Sequence, residues 1–112
     1  MSFKNASIGK DGRKLHMSIL ELSNSILAFL YEGNMKLGTL AIALPSLAES
    51  RVITSSILLG GRHLLSARAL AERTTSIFGK MSLASVHVEL SENEGTRIAA
   101  TLLDELSKKR HD

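Results

Sequence analysis

Cysteine and tryptophan are absent from this 112-residue chain, proline occurs once, and aromatic residues make up only 4% of it. Without cysteine the chain forms no disulfide, offers no thiolate nucleophile and builds no Cys-ligated zinc site, so packing must hold the fold. The scarcity of aromatics argues against the stacking platform that single-stranded nucleic acids need. No apolar run approaches the roughly 20 residues of a membrane-spanning helix. Neither a nucleic acid nor a membrane is therefore an expected partner. Met1-Ser2-Phe3-Lys4-Asn5 lacks the apolar stretch of a secretory signal, so a cytoplasmic location is expected, with the nucleus also open to it. Asn5-Ala6-Ser7 fits the glycosylation pattern, which without export is accidental.

The residues present are those of a single globular domain over 1–112, with 44% hydrophobic and 22% charged residues. Fourteen Lys and Arg against eleven Asp and Glu leave a formal charge of +3. The basic excess sits at the two ends, in Lys4, Lys10, Arg13 and Lys14 and in Lys108, Lys109 and Arg110. Solvated termini explain it, with a mild attraction for an acidic surface as the functional alternative.

Asp11-Gly12 is the strongest local signal, a dipeptide suited to a two-residue hairpin, and it predicts pairing of about Phe3–Ile8 with Arg13–Glu21. In the second strand Leu15, Met17 and Ile19 alternate with Lys14, His16 and Ser18, as when one face is buried and the other wet. Further strands are predicted over Ser25–Tyr31, Leu37–Leu44 (stopped by Pro45-Ser46) and Arg51–Leu59 (ended by Gly60-Gly61). The period then becomes helical from about His63 to Phe78, with Leu64, Ala67, Leu70, Ala71, Thr74, Ile77 and Phe78 on one side and Gly79 placed to end the helix. Met81–Leu90 reads as a sixth strand. Ser91-Glu92-Asn93-Glu94 is a capping box opening a final helix to about Lys109, which buries Ile98, Ala99, Leu102, Leu103 and Leu106.

This order predicts an α+β fold: an antiparallel sheet of about six strands with two helices on one face. Two such helices cover one face of a sheet and leave the other bare. A bare face should be polar, yet Ile26, Ala28 and Leu30 point one way in the third strand while Leu27, Phe29 and Tyr31 point the other. The fourth strand is apolar on both sides as well. The expected outcome is a dimer formed through the helix-free face, with Ile26, Leu27, Phe29, Tyr31, Leu40, Ile42 and Leu44 as the candidate seam.

No constellation for catalysis rises above this pattern. Gly60-Gly61 lies between a strand and a helix but matches neither phosphate-binding signature, and a tight turn is the simpler reading. His16, His63, His87 and His111 are scattered, and His87 with Glu89 supplies only two ligands on one strand face, too few for a metal site. Ser7-Ile8-Gly9-Lys10 fits Ser-x-x-Lys but precedes a hairpin turn instead of opening a buried helix. The acids Glu21, Glu32, Glu49, Glu72 and Glu89 read as solvated charge. No catalytic residue, metal or cofactor is expected, and the chain is not expected to be an enzyme.

Several segments carry a resemblance to a known family. They are the strand Ser25–Tyr31; Met35-Lys36-Leu37-Gly38-Thr39-Leu40 leading to Pro45-Ser46; Thr54-Ser55-Ser56-Ile57-Leu58-Leu59-Gly60; the helical Ala69-Leu70-Ala71-Glu72-Arg73-Thr74; the strand Ser82–Leu90; and the final charged helix. From about Leu22 onward the chain resembles the third and fourth proteasome assembly chaperones. The C-terminal half is closer to the fourth, whereas Gly38-Thr39-Leu40 and Pro45-Ser46 are closer to the third. The run Leu58–Leu64 is shorter than the polar loop that relatives often carry there. The resemblance implies a sheet with two helices on one side, a dimer with itself or a related subunit, no enzymatic activity, and binding to a proteasome α-subunit. A dimeric scaffold of roadblock or longin type is the alternative, against which the leading Asp11-Gly12 hairpin speaks. A small-ligand domain is a third reading and requires a pocket with convergent polar groups.

Overall fold

A computed structural model describes residues 2–46 and 53–109. The hairpin forms as the sequence predicts. Strand β1 (Lys4–Lys10) pairs antiparallel with β2 (Arg13–Glu21), with Lys10 opposite Arg13. Between them Asp11 and Gly12 take φ values of 52° and 77°, the doubly left-handed turn whose twist matches that of the flanking strands. Then follow β3 (Ser25–Glu32), β4 (Thr39–Leu44), β5 (Thr54–Leu59), α1 (Leu64–Phe78), β6 (Met81–His87) and α2 (Glu92–Lys109). Arg51, Val52 and Glu49 of the sequence reading, with Arg110 and His111, lie outside the described residues.

The strand order is β1-β2-β3-β6-β4-β5. Every neighbouring pair is antiparallel except β3 and β6, which run parallel. Helix α1 is the cause: it carries the chain back over the sheet, so β6 enters in the direction of β3.

Helix α1 lies over β3, β4, β5 and β6, and α2 over β1 and β2. The thinnest dimension is 21 Å, that of one sheet under one layer of helices. Beneath the helices the core gathers Leu15, Met17, Ile19, Ile26 and Leu30 from the sheet with Leu70, Ile98, Leu102, Leu103 and Leu106 from the helices. Ala28, Ala84 and Ala41 stand in register across three central strands. Their small side chains, with Ala67 and Ala71 on the helix, allow α1 to lie close to the sheet. Two hydroxyls bridge that contact: Ser82 Oγ donates to Ala71 O at 2.7 Å, and Thr75 Oγ1 to Ser82 Oγ at 2.9 Å.

The buried stripe of α1 differs from the predicted one at four positions. Leu64 and Ile77 are exposed, and Ser66 and Thr75 are buried instead. Burial of these small polar residues is tolerable because each hydroxyl is hydrogen-bonded. Gly79 ends the helix in the left-handed region, its N–H donating to Thr75 O. All five residues predicted to be buried in α2 are buried.

Capping ties the two helices together. His63, the N-cap of α1, has φ 57° and offers no side-chain cap, and the first turn of α1 holds no acid. Its imidazole is turned inward, Nε2–H donating to Val88 O at 2.9 Å, with Nδ1 3.6 Å from Glu92 Oε1 and free of hydrogen bonds. Glu92, from the first turn of α2, supplies the missing cap. Its carboxylate accepts the amides of Leu65 (2.8 Å) and Ser66 (3.0 Å) and the Ser66 hydroxyl (2.6 Å). Burial works against this charge, but the Ser66 hydroxyl, the two amides and the neighbouring His63 outweigh it and hold the carboxyl below its usual range. The capping box of α2 is present too, with Glu94 N–H donating to Ser91 Oγ at 3.2 Å. The Glu94 carboxylate takes the Ser91 hydroxyl at 3.3 Å and the Lys10 ammonium at 2.8 Å, and the ammonium holds it below its usual range. Arg73 and Asp104 add a two-pronged ion pair between the helices.

Glycine is obligatory where β4 begins. A Cβ on Gly38 would lie 2.1 Å from the carbonyl oxygen of Val86, whereas one on Gly61 would meet nothing. Gly38→Ala is expected to destabilise the fold by about 2 kcal/mol, a fall in Tm of roughly 10 °C, with Gly61→Ala near neutral. Thermal unfolding by circular dichroism measures both.

Glu92→Gln tests the shared cap. A carboxyl held low in the folded state contributes stability above its unfolded value and loses it as pH falls through the folded one. The variant is expected to be less stable at pH 7 by about 1 kcal/mol. Below about pH 4.5 the gap to the parent should close. Urea titrations across pH 3–7 read the difference, and a constant gap would contradict the assignment.

Candidate interaction surface

Side chains alternate along a strand, so the face opposite the helices is composed of the residues between the core positions. Register arranges them in rows. The first is apolar across four strands: Leu20, Leu27, Leu83 and Ile42. The second runs Asn5, Ser18, Phe29, Ser85, Leu40 and Leu59, large side chains flanked by small ones. The third is polar: Ser7, His16, Tyr31 and His87. The open face thus grades from apolar to polar along the strands.

Six of the seven residues expected at a seam lie on this face. Leu27, Phe29, Leu40 and Ile42 are half-buried and Leu44 is 46% exposed. Tyr31 is only 9% exposed, because its ring stacks on His16 at 5.3 Å and its hydroxyl meets Ser18 Oγ at 2.8 Å. Ile26 is the correction: it is fully buried on the helix-covered face, in register with Ser82. In a strand of period two it cannot share a side with Leu27, Phe29 and Tyr31. Leu20 and Leu83 were missed, although each is a leucine in the phase otherwise held by Ser and His. Phe3 packs edge-on to Phe29 at 6.2 Å and extends the apolar area.

Most polar residues of the face are hydrogen-bonded within the chain. Ser18 Oγ donates to Asn5 Oδ1 at 2.5 Å, Ser7 Oγ meets His16 Nδ1 at 2.8 Å, and Gly38 N–H donates to Ser85 Oγ at 2.8 Å. Ser18 and Ser85 are consequently recessed, at 0% and 1% exposure, on either side of Phe29. The Ser7–His16 pair brings a hydroxyl to an imidazole, but no carboxylate orients the ring among the contacts of the described residues. The Ser-His-Asp triad pattern includes that third group.

The N-terminus of α1 after Gly60-Gly61, where a phosphate would sit, is filled by the Glu92 carboxylate. Gly60 presses on Thr39, whose hydroxyl donates to Arg62 O, so this loop packs as a tight turn. A cleft of about 250 Å³ beside it is lined by Arg62, His63, His87 and Glu89, and Arg62 Nη1 lies 3.6 Å from Glu89. A broader trough of about 680 Å³ runs between the helices past Leu65, Arg68, Glu72 and Arg97. Among the described residues, no three His, Cys, Asp or Glu side chains gather as metal ligands do. No helix among those residues is long and apolar enough to cross a membrane.

No protein-family model and no curated protein matches the chain. Chains of solved structures do match it. One belongs to a structure described as a novel chaperone complex for yeast 20S proteasome assembly. It aligns over 96% of this chain and 98% of its own, with a TM-score of 0.65 and 14% sequence identity. The likeness is one of fold, shared end to end.

Proposed function

We propose that the chain is a non-catalytic assembly chaperone that dimerises through the open sheet face, binds a proteasome α-subunit and promotes formation of the α-ring. The observation that carries this reading is the in-register apolar row Leu20, Leu27, Leu83 and Ile42 on a face no helix covers. A soluble domain keeps such a patch for a partner. The fold shared with a subunit of the yeast chaperone complex supports the kind of partner. With the sheet face occupied by the second subunit, the α-subunit is met by helices, loops or the edge strands β1 and β5. The site of action in this reading is the cytoplasm.

Two measurements test it. The purified protein is expected to sediment at twice its 12.1 kDa chain mass at micromolar concentration, and Phe29→Asp to sediment as a folded monomer. Tagged protein drawn from its own cells is expected to carry α-subunits with it. Their absence at low and moderate salt would overturn the chaperone reading and leave the dimer standing.

A further inference from the structure

Helices α1 and α2 run side by side in the same direction. Near their starts the Leu65 amide donates to Glu92 and Ser66 Oγ meets Thr96 Oγ1 at 3.0 Å, and farther along Arg73 meets Asp104 at 2.9 Å. Between these ties the facing residues Ala69, Thr96 and Ala100 are short, and they do not fill the valley between helix axes about 8–10 Å apart. The trough of about 680 Å³ is the result, continued by a hollow of about 150 Å³ as far as Arg73. From Leu65 to Arg73 the helix rises about 12 Å, room for about two turns of helix or about four residues of extended chain.

The mouth of the trough is apolar. Leu65, at 66%, is the most exposed large apolar side chain among the described residues. Its amide is held by the Glu92 carboxylate, so the side chain stands on a backbone already fixed in place. Little ordering is left for a partner to impose there.

The charge that the trough offers is decided by what its ionic groups already hold. Glu92 accepts two amides and a hydroxyl, Asp104 accepts Arg73, and Glu72 accepts the Ser55 hydroxyl. The cations are less engaged. Among the described residues Arg68 donates only its Nε, to Ser55 Oγ at 3.0 Å, and the Arg97 guanidinium donates none of its hydrogens. The charge of Arg97 is felt by Glu94, but Lys10 holds that carboxylate. What remains uncommitted is a guanidinium on each wall beside a leucine. Guanidinium forks match carboxylates two hydrogen bonds at a time.

That combination selects the kind of partner. A nucleic acid would bring negative charge, but Leu65 gives its bases no platform and no aromatic residue is among the described residues lining the trough. An acidic polypeptide brings both halves, carboxylates for the arginines and a large apolar side chain for Leu65 and Ala69. We propose that the trough between α1 and α2 docks an acidic, leucine-bearing segment of the client protein, with its apolar side chain on Leu65 and Ala69 and its carboxylates on Arg68 and Arg97. This rests on the reading of the chain as a chaperone and adds the surface that holds the client and the chemistry of the segment held. The trough lies in the helix layer, so it stays open when the sheet face is covered.

The probe is a blocked hexapeptide of two leucines flanked by glutamates, compared with its glutamine twin and with a short oligouridylate. Each is added to isotope-labelled protein and followed by amide chemical shifts. The glutamate peptide is expected to shift Leu65, Ala69, Thr96 and Arg97 saturably, to bind about tenfold more tightly than the glutamine twin, and to lose that advantage at about 0.5 M salt. Arg97→Gln should remove most of the difference between the twins, and Leu65→Ser should weaken both. Both positions are exposed, and circular dichroism checks that the variants fold. An equal response to the glutamine twin or to the oligouridylate, shifts confined to other surfaces, or no response at millimolar peptide would each overturn the proposal. Trough shifts that follow protein concentration alone would overturn it by giving the site to a second copy. Tagged protein carrying both substitutions is expected to draw several-fold fewer α-subunits from its own cells than the parent. Capture at the parent's level would overturn the trough as the docking site and leave the chaperone reading standing. A parent that draws none, while its trough answers the glutamate peptide, would fell the chaperone reading and keep the trough as a site for an acidic segment.

Discussion

The parallel register of β6 against β3 is the constraint on which the rest of the molecule depends. It aligns Ala28 with Ala84 under α1 and, one residue along, Leu27 with Leu83 on the opposite face. Side chains alternate with a period of two, so a slip of one residue would send the leucines under the helix and the alanines into the open. The same register brings Ser82 to the hydroxyl bridge with Thr75 and Ala71, and Ser85 to the amide of Gly38. Both faces are thus specified by one strand pair, and neither can change alone.

The helices are fixed to each other by an anion the protein supplies itself. An α1 N-terminus with an imidazole in place of a capping hydroxyl leaves amides that need an acceptor. Glu92 provides it from the neighbouring helix, which accounts for the buried Ser66 at a position where a larger apolar residue would be expected. A turn that resembles a phosphate loop in composition is in this way closed to phosphate by the fold itself.

Local signals in the sequence were legible and long-range ones were not. Asp11-Gly12, Gly79 and Ser91 through Glu94 each act within a few residues, and each does what its chemistry requires. The two-sided apolarity of Leu27 and Phe29 against Ala28 and Leu30 also survives intact in the structure. Ile26 was misplaced because it was grouped with the seam although it shares the phase of Ala28 and Leu30, the side that the helices cover. Ser66 and Thr75 escaped notice because the partners that make their burial tolerable lie on α2 and β6, distant in sequence. The parallel direction of β6 depends on the path of α1, which no local pattern encodes. Leu20 and Leu83 gain meaning only once register places them beside Leu27.

That central pairing is also the long-range one. The β1–β2 hairpin, the β4–β5 pair and α1 are assembled from neighbours, whereas Leu27 and Leu83 meet across roughly half the length of the chain, a closure whose entropy must be met before the contact returns anything. Until β6 slides in, β3 and β4 present bare edges to one another and to any other strand nearby. With β6 undocked those two edges would stand open, and the strand drawn from the last third of the sequence is what covers both of them.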